Sequence, residues 1–125
     1  MAIDATVLGS LIASLNDGLI LFDPADSRLH WNSPARALHG LADDVPAPSH
    51  PDGLAGAFDF RTPDGDPLPA ADAPVARLAG GETFAGCTVR VHGRGSAGFR
   101  LLEYTGTWLA DAQGAPALGV LTVRP

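Results

Sequence analysis

Four histidines (His30, His39, His50 and His92), one cysteine (Cys87) and a few neighbouring acids are the side chains equipped for acid–base, nucleophilic or metal chemistry. No histidine stands at ligand spacing from another or from Cys87, so the usual His/Cys zinc patterns are missing. Asp64 and Asp66 flank Gly65 in a turn and Asp43-Asp44 sit in a loop, where solvated carboxylates are the rule. No serine lies in a Gly-x-Ser-x-Gly elbow. The spaced glycines of 93–98 join two strands and do not open a helix, so they are a poor phosphate cradle. Cys87 reads as a small buried hydrophobe on a strand. The chain is therefore read as non-catalytic. His39, beside Gly40 at the end of a short helix, stands apart: it can bond the last helix carbonyls or donate to a ligand.

The elements that must position these residues follow from periodicity. Val7, Leu8, Leu11, Ile12 and Leu15 fall at helical spacing, and Asn16-Asp17-Gly18 stops the helix. Such a stripe can pack on its own sheet or pair with a second copy. Leu19–Phe22 is a strand apolar on both faces, so it should lie centrally. After the turn 23–27, Arg28–Asn32 alternates, with Leu29 and Trp31 on one face. Ser33 can cap a helix opening with Pro34 and closing at Gly40. Residues 41–56 are rich in Pro and Asp and predict a loop or a single helical turn; Phe58–Arg61 is a brief extended stretch. Asp72 is placed to cap a helix over Ala73–Ala79.

Three strands complete the chain. Thr83–His92 puts Cys87, Val89 and Val91 on one face. Phe99–Leu109 sets Leu102, Tyr104, Gly106 and Trp108 against Glu103, Thr105 and Thr107. Pro116–Val123 follows the turn Asp111–Gly114.

Composition bounds the function. A chain of 125 residues is one domain by size, and 46% apolar residues support a real core. Net charge is −6, and all eight basic residues are arginine, so nothing resembles a nucleic-acid stripe or a patch for anionic lipid. One cysteine allows no internal disulfide, and no apolar run nears the roughly 20 residues that cross a bilayer. The N-terminus lacks the basic region of a signal peptide, so a cytoplasmic location is expected.

Taken in order, these elements and punctuation residues resemble a PAS domain, the small sensory module of bacterial signalling proteins. Asp17-Gly18 before the first strand, Asn32 after Trp31, and Gly40 after the short helix stand where such domains usually carry Asp-Gly, Asn and Gly. The stretch 62–86, TPDGDPLPAADAPVARLAGGETFAG, and the final hairpin 106–125 are similar to the form common in sensor histidine kinases.

The resemblance covers nearly the whole chain. It implies an α+β fold: a five-stranded antiparallel sheet with short helices across one face (residues 17–125), preceded by an amphipathic helix (residues 1–16). It implies a pocket between the sheet and the longer helix, with Ile20, Phe22, Leu29, Trp31, Leu38, His39, Val75, Leu78, Cys87, Val89, Leu102, Tyr104 and Trp108 as candidate ligand contacts. Those side chains could equally fill the space themselves, making an interaction and dimerisation module.

No cofactor is named by the sequence. The longer helix has no His for haem, and Cys87 lacks the Gly-Arg-Asn-Cys context of LOV flavin domains. The implied partners are a small molecule, a second copy through Val7, Leu8, Leu11, Ile12 and Leu15, and an output domain in a longer parent. The resembling domains commonly run on into an output helix, whereas here the sequence ends at Arg124-Pro125, so an excised piece is expected. A small ligand-binding enzyme on another α+β scaffold is the remaining alternative. It would need an acid–base pair such as His39 with an Asp, and no such pair stands at fixed spacing.

Overall fold

The computed structural model describes residues 17–42, 44–93 and 98–125. Six strands, β1 (Gly18–Asp23), β2 (Arg28–Trp31), β3 (Phe58–Arg61), β4 (Phe84–Gly93), β5 (Arg100–Ala110) and β6 (Pro116–Arg124), form one sheet. Its order is β2-β1-β6-β5-β4-β3, and every paired neighbour is antiparallel. Three short helices accompany it: α1 (Ser33–Leu38), α2 (Leu54–Ala57) and α3 (Pro74–Ala79).

This corrects the expected five-stranded sheet. The stretch Phe58–Arg61 is a full edge strand, with Asp59 opposite His92 and Phe60 opposite Val91. Only four residues long, with two of them charged, it lacks the apolar run that marks a strand in sequence. The helical cover is also slighter than expected, since no described helix exceeds six residues. The predicted helix over 1–16, with the dimer stripe assigned to it, lies outside the described residues.

Alternation sets the faces of the sheet. Ile20, Phe22, Leu29, Val89, Val91, Leu102, Tyr104, Leu121 and Val123 point to one side and pack with Ala35, Leu54, Phe58, Val75 and Leu78 from the connecting segments. A smaller apolar group on the other side joins Leu19, Leu21, Leu118 and Val120. So β1 is apolar on both faces because it lies between β2 and β6 with a cluster on each side.

Both edges of the sheet are strapped. Beside β2, Leu29 N–H donates to the Ser49 carbonyl at 2.7 Å. Beside β3 the chain folds back, with Thr62 N–H on the Asp66 carbonyl at 2.9 Å and Leu68 N–H on the Phe60 carbonyl at 3.2 Å.

Two helix caps differ from expectation. Asn32, not Ser33, caps α1: its Oδ1 accepts from Ala35 N–H and from Leu19 N–H, both at 2.9 Å, while Nδ2 donates to the Asp17 carbonyl at 2.8 Å. A hydroxyl on Ser33 could cap only its own helix, whereas the longer amide reaches β1 as well. Asp72 belongs to a single 3-10 turn, Ala70–Asp72, and α3 starts at Pro74 after Ala73, with no side-chain cap. Proline at the first turn, whose missing N–H would be unpaired anyway, lowers the need for one.

Candidate functional site

The longest-range side-chain bond in the core joins α1 to a central strand. Helix α1 ends at His39, with Gly40 at φ +73° turning the chain away. The imidazole is 5% exposed and therefore enclosed. Its Nδ1 lies 2.7 Å from the Ala35 carbonyl and its Nε2 lies 2.7 Å from the Tyr104 hydroxyl. A carbonyl only accepts, so Nδ1 carries the proton, and the neutral Nε2 accepts from Tyr104 O–H. Burial lowers the His39 pKa from 6.5 to about 4; the Ala35 bond opposes the shift and the nearby Arg100 charge adds to it. Burial, and secondarily Cys87, pushes the Tyr104 phenol above its ordinary range. Both groups are thus neutral at pH 7. They form a fixed hydrogen-bonded pair, not an acid–base pair poised for proton transfer.

Aromatic rings enclose that pair. Trp31 meets His39 edge-on at 4.9 Å between centroids, and Phe58 approaches the same ring at 5.5 Å. The Trp31 indole N–H donates to the Pro48 carbonyl at 2.8 Å, so the loop before α2 is tied to the same group. Phe58 is a residue that sequence reading missed. Its signal was available in Phe58-Asp59-Phe60, whose alternation puts both rings on one face.

The remaining candidates share this core. Ile20, Phe22, Leu29, Val75, Leu78, Val89, Leu102 and Tyr104 are buried in a single cluster, with Trp31, Leu38, Cys87 and Trp108 packed on it. His39 joins through Tyr104. Glycines let neighbouring side chains press close to the sheet. A Cβ on Gly106 would lie 2.8 Å from the Phe84 ring, and one on Gly119 would lie 3.1 Å from Leu78. Phe84 reaches Gly106 because β4 is irregular between Phe84 and Cys87. Trp108 stands edge-on to Phe22 at 5.9 Å and donates its N–H to the Leu78 carbonyl at 3.2 Å. Side chains of this chain therefore occupy the space over the middle of the sheet. The Cys87 sulfur receives an N–H from Arg77 at 3.6 Å. Among the described residues His30, His50 and His92 make no hydrogen bond or ring contact with the His39 group; His50 bonds Ser49 and the His92 ring lies against Phe99. Among the described residues no cluster of His, Cys, Asp or Glu could hold a metal ion, and no helix is long and apolar enough to cross a membrane.

No family model and no curated protein matches the sequence. Among solved structures, the chain is similar to one chain of the Escherichia coli DhaR(N)-DhaL complex, with a TM-score of 0.59 and 14% identity over 96% of its own length. The likeness is one of fold. The chain spans 35% of the length of that neighbour, which is itself part of a protein–protein complex.

Proposed function

We propose that this chain is a sensory or relay module of a bacterial signal-transduction protein, most simply a cytoplasmic sensor histidine kinase, and that it is kin to the PAS domains with one strand more in its sheet. The observation that carries the reading is the one-sided arrangement: short helices packed over an antiparallel core, with α1 and α3 tied to the sheet by side-chain hydrogen bonds. The Asp-Gly, Asn and Gly punctuation of residues 17–40 supports it, because Asn32 links the two ends of that stretch. The module does no chemistry of its own. It changes the relative stability of two arrangements of helices on the sheet, and a ligand or partner acts only through its differential affinity for them.

Two forms of this reading differ in the core. The glycine notches filled by Phe84 and Leu78 favour a relay that works through protein contacts over a sensor with a large central cavity. The neighbour's presence in a two-protein complex supports a protein partner, here a second copy or an output domain. The test is twofold. Light scattering should find a dimer that becomes a monomer when residues 1–16 are removed. The parent gene should continue beyond Pro125 into an output domain. A monomeric chain from a complete gene with no signalling neighbour would count against the reading.

A further inference from the structure

The segment 62–77, in which Pro-Asp-Gly, Leu-Pro and Asp-x-Pro punctuate the chain, has no part in the His39 group. It folds so that Thr62, Leu68, Asp72 and Arg77, together with Cys87 and Thr88 of β4, line an open cleft of about 250 Å³. The volume is below the roughly 300–1,000 Å³ of drug-sized sites, so it suits a metabolite of few heavy atoms.

The charges are arranged for one kind of ligand. Arg77 is held in place: its guanidinium lies over the Phe84 ring at 4.4 Å, Nη1 bonds the Cys87 sulfur, and Nε is 3.6 Å from Glu82. Its Nη2 bonds no described residue. Asp72 lines the same cleft and makes no ion pair or side-chain hydrogen bond among the described residues. One fixed cation and one unpaired anion share a small cleft with Thr62 and the apolar side chain of Leu68. We infer that this cleft binds a small zwitterion, an α-amino acid or close analogue, with the carboxylate on Arg77 and the ammonium on Asp72.

This rests on the sensory reading and sharpens it. Arg77 and Leu78 are adjacent on α3, and Leu78 is the side chain seated against Gly119. A carboxylate drawn to Arg77 would bias how α3 sits on the sheet, which couples an edge cleft to a filled core.

The test is thermal unfolding of the chain with millimolar glycine, L-alanine, L-glutamate, L-leucine or L-arginine, each alongside its N-acetyl and amide derivatives. At least one free amino acid should raise Tm with concentration, as mass action requires. Both blocked derivatives should fail. Asp72→Asn and Arg77→Gln should each weaken the effect about ten-fold or more. Asp72 is exposed and unpartnered, so its variant should keep the unliganded Tm and separates binding from folding. No shift with any amino acid, or a shift that survives both substitutions, overturns the inference. Stabilisation by uncharged metabolites or simple carboxylic acids alone would also overturn it while leaving the sensory function standing.

Discussion

Acidifying the protein from pH 7 to pH 4 should remove about 3 kcal/mol of stability through His39 alone. Folding holds the ring neutral, so the folded chain binds this proton less readily than the unfolded chain. The contribution is whole above the unfolded value of 6.5 and is lost as pH falls towards about 4. That interval, at roughly 1.4 kcal/mol for each pH unit, gives about 3.5 kcal/mol in full, and about 3 kcal/mol at pH 4, where the folded ring is half protonated. Protonation also removes the acceptor of the Tyr104 hydroxyl, so the cost falls on the bond that ties α1 to β5. The assay is urea unfolding at pH 7, 5.5 and 4 of the natural chain and of His39→Gln. The natural chain should lose about 3 kcal/mol more than the variant over this range, because exposed carboxylates titrate alike in both. Equal losses would refute the assignment of the buried neutral ring.

Other expectations follow from the same contacts. Asn32→Ala removes a helix cap and strands the buried Leu19 N–H, and should cost roughly 2–4 kcal/mol in urea unfolding. Tyr104→Phe leaves His39 Nε2 without its donor and should cost about 1–3 kcal/mol, with a histidine NMR titration moved from that of the natural chain. Gly106→Ala forces the Phe84 ring aside and should cost about 1–3 kcal/mol, whereas Gly56→Ala, with open space around it, should be neutral or mildly stabilising.

What the sequence showed was set by how local the cause is. Alternation in β4 and β5 named the inward residues Val89, Val91, Leu102 and Tyr104, since a strand's faces need no knowledge of its neighbours. Gly40 ended α1 as its type suggested. Phe58–Arg61 was legible as an extended stretch but was not counted in the sheet, because its pairing comes from β4, far along the chain, and not from its own four residues. His39 was singled out, but its partner Tyr104 lies 65 positions away and no local pattern joins them. The caps failed for a smaller reason. Both Asn32 and Ser33 can cap, and only the position of β1 decides in favour of the residue that bonds two elements at once.

The straps along the two sheet edges bear on how the molecule behaves in company. An unpaired outer strand is a template on which other chains can polymerise, and proteins that persist at high concentration block it. Here the Ser49 carbonyl occupies a donor of β2, and the fold-back of residues 62–68 lies along β3. Among the described residues each border thus has part of its length already paired, which disfavours growth by strand addition. The faces of the sheet and the helices carry no such obstacle among the described residues. Contacts through those surfaces join side chains and leave the hydrogen-bonded ladder of the sheet at its own six strands.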